Sequence, residues 1–292
     1  MTTRREFIGM AAATMAATMV GGPARAEGHV PLGLQLYTVR DDLAKDFTGT
    51  LTKIKAIGIR KVQTGGLTAN GHDAMQLRKI FGDLGLTWES SHTSGDELRN
   101  SAQQTIDRAK TAGLKNIVCS FPPYPVDEKA VLAGPTLDDW KRDAETCNKI
   151  AALCQKAGLT FSYHNHNVEF KKLDGAYAYD TLLKELDPKL VQMEMDIGWV
   201  TAGGADPVDY LTRFPTRYRS LHIKDLKPVG VPNTVGKMTS AIIGKGIVDW
   251  ARVLPAARKA SIQSAYLELE EPYDPSPLEM VRASYEYLKG QI

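Results

Sequence analysis

The sequence predicts an α/β chain closed into a single (β/α)8 barrel, and three observations carry that expectation. A phrase in which a helix ends at glycine and a short apolar strand follows recurs as KAIGIRKV, DLGLTWES, TAGLKNIV and KAGLTFSY. Such phrases are what glycine-terminated helices feeding buried parallel strands produce. The 266 residues after position 26 accommodate eight such units, the usual size of this barrel. The first strand and its turn, LGLQLYTVRDD, lack a glycine-rich phosphate loop, which sets aside the competing open doubly wound sheet.

Taken in order, the strands are expected to begin near Leu32, Ile59, Leu86, Asn116, Leu159, Leu190, Tyr218 and Ile262. Each is rich in aliphatic, β-branched or aromatic residues. A helical stretch follows each, the last from about Pro277 to Lys289. Gly58, Gly85, Gly113 and Gly158 mark the turns into strands two to five. No linker or shift in composition divides residues 27–292, so one domain is expected there.

The first 26 residues read differently. Arg4-Arg5 precede Phe7-Ile8, an Ala/Met/Thr run follows, and Ala24-Arg25-Ala26 offers a small-x-small cleavage site. This order describes a Tat-type signal peptide for residues 1–26, with an apolar run too short to span a bilayer. A periplasmic protein with no stable membrane anchor is therefore expected, with the Tat machinery as its export partner. Removing Arg4, Arg5, Arg25 and Glu6 leaves 33 charges of each sign. That balance gives nucleic acid no electrostatic hold. Export favours disulfides, yet Cys147 and Cys154 lie seven residues apart on a predicted helix, ~10 Å along its axis and beyond the ~7 Å reach of a bridge. Three buried thiols are expected.

Strands five to eight carry the chemistry. Ser162, His164 and His166 alternate with Phe161, Tyr163 and Asn165, and Gln192, Glu194 and Asp196 alternate with Val191, Met193 and Met195. Ser220, His222 and Lys224 alternate with Leu221 and Ile223, and Tyr266, Glu268 and Glu270 with Ala265, Leu267 and Leu269. One parity faces the interior, so four neighbouring strands direct ionisable groups toward the C-terminal end, where barrel active sites form. Buried charge is costly unless paired or metal-bound, and imidazoles among carboxylates form a transition-metal donor set. The expected ligands are His164, Asp196, His222 and Glu268, for Mn2+ first, then Zn2+, Co2+ or Fe2+.

The phrases LGLQLYTVRD, SYHNHNVEF, MEMDIGWV with GADPVDYL, SLHIKD, GKGIVDW and YLELEEP resemble the sugar phosphate isomerase/epimerase family of the xylose isomerase-like TIM barrel superfamily. The resemblance covers nearly all of residues 27–292. It implies a divalent metal held by an acid from strand five, an Asp from six, a His from seven and a Glu from eight; Asp196, His222 and Glu268 match the last three. Strand five departs, with His164 where many members carry Glu and Glu169 five residues further on. Simple epimerisation between two ligating glutamates is thereby disfavoured, and the chain looks closer to the inosose dehydratase-like and keto-sugar-processing branch.

The mechanism that follows is proton abstraction beside a carbonyl of a sugar or keto-sugar, stabilised as an enediolate. Glu270, Glu194, His166 and Lys224 are the candidate catalytic groups, and Gln35, Tyr37, Glu89, His92 and Trp199 the candidate substrate contacts. An isomerase or epimerase is the leading reading. A lyase or hydratase acting on 3-keto-glycosides or inosose is the rival, and a non-catalytic sugar-binding barrel is the alternative of another class. The periplasmic address favours unphosphorylated substrates. The stretch from Asp225 to Gly246 is expected to form either a lid or an interface loop, Asp249 to cap the next helix, and a homo-oligomer is left open.

Overall fold

Parallel strands with buried residues on both faces need a helix after each crossover, and the alternation in this chain supplies one. The computed structural model describes residues 30–120, 134–228, 230, 232–234 and 238–292; residues 1–26, where a signal peptide is expected, lie outside them. Eight parallel strands close a barrel in chain order: β1 (Leu32–Gln35), β2 (Lys61–Thr64), β3 (Thr87–Thr93), β4 (Asn116–Cys119), β5 (Thr160–His164), β6 (Val191–Asp196), β7 (Tyr218–Ile223) and β8 (Ser264–Leu267). Every strand starts within two residues of its expected position.

Among the described residues the crossover helices are α1 (Phe47–Ile57), α2 (Ala74–Asp83), α3 (Gly95–Thr111), α4 (Leu137–Lys156), α5 (Ala178–Glu185), α6 (Pro207–Arg213), α7 (Trp250–Lys259) and α8 (Pro277–Leu288). Their starts are encoded locally. Asp73 with Gln76, Thr136 with Asp139 and Ser276 with Glu279 form capping boxes on α2, α4 and α8, each satisfying amide groups that a helix start leaves free. Asp249 caps α7 by accepting from Arg252 N, as expected. Gly58, Gly85, Gly113 and Gly158 all have positive φ, a conformation that turns the chain from helix to strand and that glycine adopts without strain.

The outward parity of the late strands forms the core beneath the helices. Phe161, Tyr163, Met193, Met195, Leu221, Ile223, Ala265 and Leu267 are all fully buried, and each of the larger ones contributes roughly 1.5–3 kcal/mol by leaving water. Cys119, Cys147 and Cys154 are buried free thiols. Cys147 contacts Cys119 from the end of β4, and that contact together with burial pushes its thiol well above the usual range. No helix among the described residues is long and apolar enough to cross a membrane.

Register sets the level of each inward residue. His164 lies beside Glu194, Asp196 beside His222, and His222 beside Tyr266. The barrel's C-terminal half thus sets side by side residues that are 26 to 44 positions apart in sequence.

Candidate active site

Glu194 occupies the centre of the barrel with no solvent exposure. Its Oε1 is approached by three imidazoles: His92 Nε2 at 2.8 Å, His164 Nδ1 at 3.2 Å and His222 Nε2 at 3.1 Å. Its Oε2 accepts from Gln63 Nε2 at 2.9 Å and Ser220 Oγ at 2.8 Å. Burial alone would favour the neutral acid, but His222 and the other donors outweigh it and hold the carboxyl well below its usual range.

His222 is pinned at both nitrogens. Nδ1 faces Glu268 Oε2 at 3.0 Å, and Nε2 donates to the Gln63 carbonyl Oε1 at 2.6 Å. A carbonyl oxygen can only accept, so Nε2 carries a proton. Burial opposes a second proton, yet Glu194 and Glu268 prevail and raise the ring to about 10. His164 differs: burial, reinforced by neighbouring His222, lowers it to about 3, leaving the neutral imidazole that a metal requires.

Above this layer, Lys224 is fully buried among carboxylates. Its ammonium lies 3.2 Å from Asp196 Oδ2 and 3.0 Å from Glu268 Oε2, contacts Glu270, and sits 4.5 Å from the Trp199 ring centroid. Burial opposes its charge, but Asp196 and the two glutamates keep its pKa well above the usual range. Burial conversely raises Asp196 to about 6. Asp196 Oδ1 accepts from Trp199 N and starts the short helix Ile197–Ala202. Its Oδ2 has the Lys224 ion pair but no well-aligned hydrogen bond.

The donor atoms of His164, Asp196, His222 and Glu268 all lie within 4.8 Å of one another, and a second set, His92, His164, Glu194 and His222, meets the same limit. Four carboxylates, Glu194, Asp196, Glu268 and Glu270, face two cations, Lys224 and His222, an excess of two negative charges. Mixed nitrogen and oxygen donors, an under-bonded Asp196 oxygen and that excess fit a divalent cation.

His92 is on β3 inside the imidazole cluster, its ring stacked on His222 with centroids 4.9 Å apart. His166, half-buried beyond β5, lies 5.0 Å from the His164 ring and 6.0 Å from Trp199; burial and His164 push it well below its usual range. Gln35 ends β1 fully buried and donates to Gln63 at 3.0 Å. Tyr37 lies outside the cluster at the mouth, 45% exposed, beneath the Arg40 guanidinium at 4.2 Å. Glu169 is buried but apart from the donors, accepting from Tyr163 Oη and His166 N; burial raises it to about 7.

Glu89 is a correction: it is at the opposite, N-terminal end of the barrel, paired with Lys61 at 3.1 Å and with Lys115. Strand β3 runs on to Thr93, so Glu89, its third residue, stands near the strand's start at the barrel floor, while His92 near its end reaches the centre. Gln63 was missed. The inward parity of Lys61 and Gln63 on β2 is the signal that marks it.

The described parts of the segment from Asp225 to Gly246 fold against the mouth. Asp225–Leu226 pairs with Ser240–Ala241, and Leu226 and Met238 pack on Trp199 and Ala202. The Asp225 carboxylate accepts from the amides of Leu226, Gly244, Gly246 and Val248 and from Trp250 Nε1. Five hydrogen bonds to one carboxylate make the base of the segment part of the site's wall.

Residues 51–291 match the xylose isomerase-like TIM barrel family, and the chain belongs to that family. An inosose dehydratase of Clostridium perfringens is 26% identical over 238 residues, covering 74% of this chain and 78% of that protein. A sugar phosphate isomerase/epimerase from Parabacteroides distasonis superposes with a TM-score of 0.73 at 25% identity, over 94% of this chain and 98% of that one. An IOLI protein solved with a zinc atom superposes at 0.67 with 13% identity, over 88% and 95% of the two chains, a likeness of fold.

Proposed function

We propose that this chain is a divalent-metal-dependent enzyme that removes a proton beside the carbonyl of a keto-sugar or cyclitol ketone. The observation that carries this is the convergence of His164, Asp196, His222 and Glu268 in a buried cluster with excess negative charge. These four would hold the ion, whose contribution would be Lewis-acid polarisation of a carbonyl and an adjacent hydroxyl; the two nitrogen and two oxygen donors suit Mn2+, with Zn2+, Co2+ or Fe2+ as its competitors.

The chain's own groups supply the rest. Glu270 is the most exposed carboxylate of the cluster, its side chain 25% accessible, and is placed to accept the α-proton. Lys224, in contact with Glu270, is placed to donate to the developing oxyanion. Trp199 offers an aromatic face and a buried Nε1–H that has no acceptor among the described residues, suited to a sugar hydroxyl. Gln63 and Ser220 orient Glu194 and, through it, the imidazoles.

A second reading, elimination, has specific support. All four carboxylates come from β6 and β8, and His164 stands on β5, so a second exposed carboxylate for the opposite face of the carbon is missing among the described residues. Losing a β-substituent needs one base and one acid, which Glu270 and Lys224 provide, and the inosose dehydratase relative performs a reaction of that class. The twin-arginine segment supports export and an unphosphorylated substrate.

Incubating metal-loaded protein with inosose, 3-keto-glucosides and simple ketoses in D2O tests these readings. Deuterium at one carbon with all atoms retained indicates isomerase or epimerase. Loss of water or an aglycone indicates lyase. Absence of exchange with every substrate, despite binding, sinks the enzyme reading in favour of a binding barrel.

A further inference from the structure

A barrel interior is ordinarily filled to its floor by branched aliphatic side chains. This one is not. At the N-terminal ends of the strands lies a cavity of about 460 Å³ lined largely by hydroxyl, amide and cationic groups, a volume within the range of small-molecule sites. Ser90, Ser162 and Ser220, all nine-tenths or more buried, face it from β3, β5 and β7, and their short side chains leave the space open.

The charge of the lining is unbalanced. Lys61, Lys115 and Arg219 meet one acid, Glu89. Glu89 is shared between the two lysines, while among the described residues the Arg219 guanidinium has a single long hydrogen bond, 3.4 Å to the Ser261 carbonyl. Lys61 also donates to Ser264 Oγ at 2.8 Å and lies 5.6 Å from the Tyr266 ring centroid. Two net positive charges, several hydroxyl and amide groups and one aromatic ring in a half-enclosed space define a recognisable chemistry. From this we infer that the barrel floor is a second binding site, separate from the mouth, for a small hydroxylated oxyanion such as a polyol phosphate or sugar carboxylate. Arg219 and Lys115 engage the anion at the rim, and the serines engage hydroxyls deeper in.

Isothermal titration calorimetry on the full chain tests this with glucose 6-phosphate, glucuronate, inorganic phosphate and neutral glucose. Saturable 1:1 binding of glucose 6-phosphate or glucuronate is expected, with the tighter of the two identifying phosphate or carboxylate as the anion. An Arg219→Ala/Lys115→Ala variant should bind at least tenfold more weakly, Ser162→Leu should abolish binding by filling the floor, and Glu270→Gln at the mouth should bind as the parent does. Thermal melts establish that the variants are folded; if Ser162→Leu is not, the rim variant decides alone. No saturable binding of either hydroxylated anion, binding of inorganic phosphate alone, or equal affinity in the rim variant overturns the inference.

Discussion

The two halves of the barrel interior use different chemistry at the same depth. Strands β5 to β8 contribute His164, Glu194, Asp196, His222 and Glu268, whereas β1 and β2 contribute the neutral amides Gln35 and Gln63, and β3 adds His92. The amide wall is not passive. Gln63 accepts from Gln35 and His222 through Oε1 and donates to Ser90 and Glu194 through Nε2, so all its bonds cross toward other strands. One wall holds charge and the other fixes its orientation, as outer-shell partners do in metal sites. Lys224 illustrates a related division: it balances the carboxylates on its own side, leaving the imidazoles to the opposite contacts.

Substitutions on the two walls should therefore fail differently. The largest effect is expected from His222→Ala, which removes a donor shared by both candidate metal sets. Metal content after chelator-free purification should fall to a small fraction, and turnover by at least ~10³-fold, the weight of several kcal/mol of Lewis-acid stabilisation. Stoichiometric metal in that variant would remove the charged wall from the account. Glu270→Gln should lower kcat by ~10²–10⁴-fold, typical of a lost general base, with metal content unchanged.

Next comes pH. His222 is raised to about 10, so at neutral pH a metal must displace its proton, and apparent affinity should rise up to about tenfold per pH unit from 6 toward 9. A flat profile by competition titration would show that the ring is already deprotonated. Gln63→Leu, on the neutral wall, should weaken metal binding by about 10–100-fold without unfolding the protein; an effect as large as that of His222→Ala would erase the distinction between the walls.

The smallest consequence for the site lies outside both walls. Asp143, on α4, is buried, and burial together with Asp139 raises it to about 7. The unfolded chain releases this proton near ~3.9, so the native state binds more protons between roughly pH 4 and 7 and stability falls as pH rises across that window. Asp143→Asn should relieve this by roughly 4 kcal/mol at pH 8 and little at pH 4, measured by urea unfolding, with activity unaffected.

Much of this architecture was legible in the sequence because it is periodic. The inward parity of β5 to β8, the glycine turns and the capping of α7 by Asp249 each depend on neighbours a few residues away. The parity of β2 marks Gln63 as inward but not its role, since an amide on a strand is unremarkable until His222, 159 positions later, is set against it. The level of Glu89 was not legible either, because β3 continues through the polar stretch 90–93, which no local pattern marks as strand. The Cys119–Cys147 contact likewise joins a strand end to a helix.

By itself, then, the sequence determined the number and order of the units, the fold class and which late-strand residues share a face, because side-chain alternation is a property of the local backbone. Closure of the barrel decided the rest. Only closure sets early strands against late ones, and only that juxtaposition sets Gln63 against His222, brings His92 to join His164 and His222 around one glutamate oxygen and leaves a cationic hollow beneath them. Such arrangements depend on distance through space, which falls steeply in effect beyond a few ångströms and has no counterpart in spacing along the chain.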